Sequence, residues 1–299
     1  MTKLQGCDVS LWNGRPDWKV AVAAGMKWVA VKASQGATIT DPQCARNVDC
    51  LRELGVPVML YHYLYPGVPA VDQWERFHSV VEHVGGWDGM LVPALDVEGD
   101  EHCQLRGVSA DEYLDEAAKW LDLLHDEKRI EGVVYTYPSF NSEYGVGDRL
   151  GGLSDIWAAK YGTTAPHFTG WRYTWFWQYS DQGSWPGIGS GLDMDWFLGT
   201  EQELRSLIVN AKRAPLVVGP DGKPIDCEPQ WERDSITVAA IPLLKALGLP
   251  LIPLPTAVHE HTGRAYIREL EPSLTPWRMA YRDMPQGPRV YIKRGGGAA

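Results

Sequence analysis

Cysteine is scarce and unpatterned in this 299-residue chain: Cys7, Cys44, Cys50, Cys103 and Cys227 are odd in number, and none stands in a Cys-x-x-Cys spacing. A disulfide framework and a zinc knuckle are therefore excluded as organising devices, and synthesis in a reducing compartment fits. No cofactor or metal is implied by any spacing. Long apolar runs are missing as well, so no membrane insertion is expected. The opening Met1-Thr-Lys-Leu-Gln5 lacks the apolar centre of a signal peptide. Basic excess is absent: the formal net charge is −10, which argues against nucleic acid as a partner, since phosphate contact needs a basic face. Phenylalanine is rare, with five Phe against fourteen Trp and thirteen Tyr. The rings present combine an apolar face with a polar edge, and serve either as packed residues with a bonded N–H or O–H or as surfaces for sugars.

What is there divides unevenly. The first 214 residues hold 18 Lys+Arg against 29 Asp+Glu, and the remaining 85 hold 10 against 9. That asymmetry predicts two domains, 1–213 and 214–299. In the first, strand patterns at 6–12, 28–34, 58–65, 91–99, 132–137, 155–161, 175–179 and 191–197 alternate with helical stretches at 17–24, 42–54, 71–84, 109–125 and 201–211. Eight strands separated by helices predict an α/β fold, a closed β/α (TIM-like) barrel. The connection over 162–174 is too short for a crossover helix, so the barrel should be irregular, with room for an antiparallel pair. The second domain reads as small and α+β: a hairpin over 216–225 around Pro220-Asp-Gly222, a helix over 241–247, and strands at 263–270 and 289–294, with a disordered Gly-rich end.

The centre of the chemistry is the segment Leu91-Val-Pro-Ala-Leu-Asp-Val-Glu-Gly99. Alternation puts Asp96 and Glu98 on one face, at the carboxyl end of the strand, where α/β folds keep their sites. Adjacent acids push their proton affinities apart, which leaves one to act as an acid and the other as an anion. Glycosidic bond cleavage uses such a pair. A bare Asp-x-Glu is also an ordinary solvated strand end, so the neighbouring segments decide.

Those segments follow a recognisable order. Gly-x-Asp-x-Ser stands at Gly6 to Ser10, Val-Lys-Ala-x-x-Gly at Val31 to Gly36, and Tyr-His-Tyr at 61 to 63. Leu-Asp-Val-Glu follows at 95 to 98, Val-Tyr-Thr at 134 to 136, Trp-Ala-x-x-Tyr at 157 to 161, and Trp-Gln-Tyr at 177 to 179. Gly-x-Gly-x-Asp closes the series at Gly189, Gly191 and Asp193. In this order, residues 5 to about 212 resemble the glycoside hydrolase family 25 lysozymes, the Chalaropsis-type muramidases common among phage endolysins.

The resemblance implies a flattened, irregular β/α barrel and hydrolysis of the β-1,4 bond from N-acetylmuramic acid to N-acetylglucosamine in peptidoglycan. It also implies four acids, Asp8, Asp96, Glu98 and Asp193. Glu98 would be the general acid and Asp96 the group that manages the substrate's 2-acetamido group, by a substrate-assisted retaining route; Asp8 and Asp193 would tune the pair. Asp195 shares a strand face with Asp193, and spacing alone does not separate them; the motif favours Asp193. Tyr61, Tyr63, Tyr135, Trp157 and Trp177 are the expected sugar-lining shell, with Lys32 at a matching position, while His62 reads as a packed residue.

Two other readings stay open at this point. A chitinase-like enzyme would carry further Asp residues before the Asp-x-Glu, where Leu91 and Ala94 stand here. A catalytically inactive glycan-binding wall protein would have no need of all four acids. The tail from Arg264 to Arg294 carries seven Lys+Arg against three Asp+Glu, which suits binding to anionic wall polymers. No repeated wall-binding module is visible there. The expected setting is synthesis in a bacterial host cytoplasm and release to the wall through a holin.

Overall fold

The computed structural model describes residues 3–209 except 101, 129, 165 and 172, together with the backbone of six strands beyond residue 210. The chain divides into two compact units, Met1–Asn210 and Ala211–Ala299. No helix among the described residues is long and apolar enough to cross a membrane.

The first unit is the barrel. Its strands are β1 (Leu4–Val9), β2 (Trp28–Gln35), β3 (Ile39–Thr40), β4 (Val58–Tyr63), β5 (Ala94–Asp96), β6 (Val133–Thr136), β7 (Asp155–Ala159), β8 (Thr174–Trp185) and β9 (Gly189–Phe197). Pairing runs β1-β9-β8-β7-β6-β5-β4-β2 and returns from β2 to β1, so eight strands close a ring, and β3 hangs from β2 as a short hairpin arm. Neighbours are parallel from β1 through β2, β4, β5, β6 and β7 to β8. The ring closes through β9, which is antiparallel to both β8 and β1. No helix appears among the described residues between β7 and β8, and β9 returns by a tight turn, which is where the regular βα alternation breaks.

Helices α1 (Trp18–Ala23), α2 (Cys44–Glu53), α3 (Ala70–His83), α4 (Ala110–Lys128), α5 (Pro138–Tyr144), α6 (Val146–Leu150) and α7 (Glu201–Ser206) complete the unit. Their starts follow local chemistry. Asp17 accepts from the Val20 N–H ahead of α1, and Ser109 and Glu112 bond reciprocally ahead of α4. The patterns at 138–150 are too short to announce α5 and α6.

Packing between α3, α4 and the strands is aromatic. His62 is fully buried, with its ring stacked on Trp120 at 5.8 Å and edge-on to Phe77 at 5.9 Å. Its two nitrogens bond Ser34 Oγ at 2.8 Å and Gln73 Oε1 at 3.2 Å. Burial pushes its pKa down to about 3, so it is a neutral core histidine. Ring pairs of this kind contribute about 0.5–1.5 kcal/mol each beyond the area they bury. Inside the barrel, Trp28 meets Phe176 at 4.7 Å and Phe176 meets Phe197 at 5.2 Å. A Cβ on Gly6 would lie 2.2 Å from the Trp28 ring, which explains the first glycine of the opening motif.

The acid strand is shorter than its sequence pattern. Leu91 makes an isolated bridge to Ile208, and Pro93 has no N–H to give a ladder, so β5 is three residues long. Glu98 lies just past its end. There the Gly99 N–H donates to Tyr113 Oη at 3.1 Å and the Tyr113 hydroxyl donates to the Leu64 carbonyl at 3.1 Å. Gly99 has φ +87°, and a Cβ there would approach the Cys103 backbone to 2.9 Å. Only glycine suits that position.

The described backbone of the second unit comprises β10 (Leu216–Val218), β11 (Gln230–Glu232), β12 (Ser235–Ala239), β13 (Arg264–Tyr266), β14 (Trp277–Arg282) and β15 (Arg289–Arg294). They form two three-stranded sheets, β10-β15-β14 and β11-β12-β13. Strands at 264–266 and 289–294 fall where the sequence puts them. The expected hairpin over 216–225 is corrected in part: β10 pairs in parallel with β15, because its first arm finds a distant partner. The second arm of that hairpin, the helix over 241–247 and the Gly-rich end lie outside the described residues.

Candidate active site

Register and alternation decide which side chains enter the barrel. Asp8 on β1 is opposite Asp193 on β9, and Gly6 is opposite Asp195. Lys32 on β2 is opposite Tyr61 on β4, and Tyr63 is opposite Asp96 on β5. Asp96 is opposite Tyr135 on β6, Tyr135 opposite Trp157 on β7, and Gln178 on β8 opposite Asp195. Partners in register share a face, so every barrel strand contributes to one inward-facing constellation at the carboxyl ends of the parallel strands.

Four of these groups are acids, Glu98 joins them from just past β5, and burial raises the proton affinity of all five. Glu98 is pushed up to about 7, with burial raising it while the Lys32 charge and a hydrogen bond from Tyr63 hold it down. Asp96 is raised by burial and then by Glu98, against the pull of Lys32. Its Oδ1 is buried without a donor among the described residues. Asp193 is raised to about 8, by burial first and then by Asp8. Lys32 is lowered by burial and sustained by Asp96, Asp41 and Glu98. Its ammonium donates to Gln35 Oε1 at 2.9 Å and sits 4.6 Å from the Tyr63 ring centre. A single partly buried cation thus faces a carboxyl cluster that retains protons into the neutral range, which is what general acid catalysis near neutral pH needs.

A chain of hydrogen bonds ties the walls to the acids. Tyr135 Oη donates to Gln178 Oε1 at 3.0 Å, and Gln178 Nε2 donates to Asp8 Oδ2 at 2.8 Å. Trp157 Nε1 donates to Asp195 Oδ1 at 2.8 Å. Among the described residues no group of three or more His, Cys, Asp or Glu is arranged to hold a metal ion.

Residues 7–188 match the sequence profile of the family described as glycosyl hydrolases family 25. The chain belongs to glycosyl hydrolase family 25. It is a glycoside hydrolase of the muramidase class. The uncharacterized protein YegX of Escherichia coli O157:H7 is 30% identical over 222 residues, covering 71% of this chain and 76% of that protein. Lysozyme M1 of Streptomyces globisporus is 28% identical over 218 residues, covering 69% and 72%. Among solved structures, the bacterial lysozyme from Streptomyces coelicolor is similar with a TM-score of 0.63 at 26% identity, covering 70% of this chain and 98% of that one.

In this family 25 hydrolase the structure brings Asp8, Asp96, Glu98, Asp193, Lys32, Tyr61, Tyr63, Tyr135 and Trp157 to one face. Trp177 is the correction. It is 1% exposed, in register with Ala158 and Trp196 on the outward face, and its N–H donates to the Lys160 carbonyl at 2.7 Å. Lys3 covers its ring from 4.6 Å. Strand parity is the reason: the inward residue of Trp-Gln-Tyr is Gln178, which the motif contains and the aromatic reading passes over. Trp157 also differs from an open sugar platform, being 1% exposed and edge-on to Tyr61 at 6.0 Å and Tyr135 at 4.8 Å. It supports the floor.

Two exposed rings lie outside the expected sugar-lining shell. Trp12 is 86% exposed and Tyr161 is 55% exposed. Trp12 belongs to a one-turn 3-10 helix, Leu11–Asn13, that follows the end of β1 after Ser10. Ser10 and Asn13 cap the turn reciprocally, and Asp41 Oδ2 accepts from the Leu11 N–H at 2.7 Å. Tyr161 lies within electrostatic reach of Asp193, Asp8 and Glu98. The signal for Trp12 was a Trp standing two residues past the opening motif.

Proposed function

We propose that the protein hydrolyses the β-1,4 bond between N-acetylmuramic acid and N-acetylglucosamine in peptidoglycan, with Glu98 as general acid. The observation that carries the reading is Glu98 itself: a buried carboxyl with a pKa near 7, steadied by Tyr63 and Lys32 beside Asp96. Glu98 gives its proton to the leaving glycosidic oxygen as that bond breaks. The substrate's acetamido oxygen attacks the anomeric carbon from the opposite face, and Asp96 Oδ1, a buried acceptor without a donor, takes the acetamido N–H. Water then opens the cyclic intermediate while Glu98 recovers the proton, so configuration is retained. Asp8 and Asp193 hold the cluster's charge and geometry, and Tyr61, Tyr63, Tyr135 and Lys32 line the approach. The name Lysozyme M1 of a relative supports the substrate class.

Glu98→Gln should lower kcat on soluble peptidoglycan fragments by about 100- to 10,000-fold with little change in KM. Full activity in that variant overturns the assignment. NMR of fresh product should show the β-anomer first; the α-anomer first excludes the retaining route. The proposed setting is a bacterial wall reached from the host cytoplasm through a holin. Expression in the cytoplasm should lyse cells only when a holin is co-expressed, and lysis without one argues against it.

A further inference from the structure

Deep in the acid cluster two carboxyls meet with too few donors between them. Asp8 on β1 and Asp195 on β9 are both buried, on strands that pair directly. Gln178 Nε2 serves Asp8 Oδ2, and Trp157 Nε1 serves Asp195 Oδ1, each at 2.8 Å. Asp195 Oδ2 is fully sealed from solvent, and no N–H or hydroxyl among the described residues reaches it. The carboxyls of Asp8 and Asp195 lie within hydrogen-bonding reach of one another. Two carboxylates cannot bond each other without a proton, and a buried acceptor with no donor beside a second anion is strongly unfavourable.

We propose that Asp195 is a positioning residue that holds one proton in common with Asp8, so that the two carboxyls carry a single negative charge and Asp8 is locked between Gln178 and Asp195. The proposal rests on the reading that Asp8 belongs to the hydrolytic centre. The contact raises the proton affinity of Asp8 and lowers that of Asp195, which makes Asp8 the donor of the pair in this proposal. Burial, followed by the charge of Asp195, raises the proton affinity of Asp8 and favours keeping that proton.

The acids and hydroxyls that face the pair are Asp193 on β9, Glu98 beyond β5, Asp96 on β5, Tyr61 on β4, Tyr135 on β6, Tyr161 beyond β7 and Tyr179 on β8, with the Cys7 thiol on β1. Lys32 on β2, the strand beside β1, is the cation of the cluster, and it is drawn to Asp96, Asp41 and Glu98. Loss of the shared proton therefore places a second anion in the field of Glu98, and the two titrations oppose one another.

The test uses the full chain as wild type, Asp195→Ala and Asp195→Asn, with kcat and KM on soluble peptidoglycan fragments measured from acid to alkaline pH. Infrared spectra of protein labelled with carbon-13 aspartate are recorded over the same range. Asp195→Ala should lower kcat by about 10- to 100-fold. Asp195→Asn should recover much of that loss, because its amide can donate to Asp8 and accept from Trp157. Its alkaline limb should follow a single ionisation where the wild type falls more steeply, and it should lack one protonated-carboxyl band that the wild type shows at neutral pH.

Identical pH profiles and identical carboxyl bands in wild type and Asp195→Asn overturn the proposal. If thermal melts show that the variants do not fold, the wild-type spectrum decides alone, since absence of a protonated aspartate at neutral pH also overturns it. An inactive wild type would refute the hydrolytic reading while leaving the spectroscopic result to stand on its own.

Discussion

Glu98 is held between opposing forces: burial keeps its proton on, and Lys32 draws it off. Activity should fall as pH rises through about 7, where the general acid loses its proton. Lys32→Met removes a charge that favours ionised Glu98, so the alkaline limb should move to higher pH, as a kcat/KM profile will show. A limb that stays in place contradicts the coupling.

The same residue governs stability. The folded state holds the Glu98 proton up to about 7, whereas the unfolded chain releases it near 4.5. Between those values the folded state binds more protons, so this contribution to stability is whole below about 4.5 and declines as pH rises. Asp193 extends the decline to about 8. At pH above 8, Glu98→Gln should therefore stabilise the barrel by about 2 kcal/mol, or about 4–8 °C in Tm. A lower Tm in the variant refutes the sign. Asp8, Asp96 and Glu98 were legible in the sequence because each sits in a motif at a strand end. Asp195 was visible only as a rival to Asp193, since both have the same strand parity and only the donors around them tell them apart.

Among the elements, the segment after β5 matters most, because it carries Glu98 past the end of the strand. Gly99→Ala forces a side chain into a left-handed backbone and against Cys103, so a loss of about 1–3 kcal/mol is expected by thermal melt, with kcat lowered as Glu98 shifts. Unchanged kcat would mean that the loop does not position the acid. The sequence pattern reads this segment as one long strand because it is a mostly apolar run that ends in its two acids; Pro93 and the bond from Gly99 to Tyr113 end the ladder early. In β8 the aromatic residue attracts attention, yet parity turns Gln178 inward. The turn over Leu11–Asn13 presents Trp12 to solvent at the barrel mouth on a doubly capped support. Trp12→Ala should raise KM on polymeric peptidoglycan by roughly three- to tenfold with kcat unchanged, and no change in KM removes Trp12 from the glycan path.

Across the whole molecule, the count of eight strands was legible because apolar runs alternate with helical stretches at regular spacing. The break in regularity was legible too, from a connection over 162–174 too short for a helix. An antiparallel pair was allowed for as well, but the closure of β9 antiparallel on β1 was not legible, because pairing partners that far apart in sequence leave no local trace. The second unit was legible as a change in charge and texture and in two of its strands, at 264–266 and 289–294. We propose that it anchors the enzyme on anionic wall polymers. A chain ending at residue 213 should then cleave soluble fragments normally and lose pull-down on walls, while undiminished pull-down contradicts the anchor.

The most direct test of the hydrolytic reading is the identity of the new ends. Purified peptidoglycan is digested with wild type and with Glu98→Gln, the products are reduced with borohydride, and the reduced sugar is identified by mass spectrometry. The expected result is reduced N-acetylmuramic acid at every new end with wild type and almost none with the variant. Reduced N-acetylglucosamine, or equal release by both proteins, would contradict it.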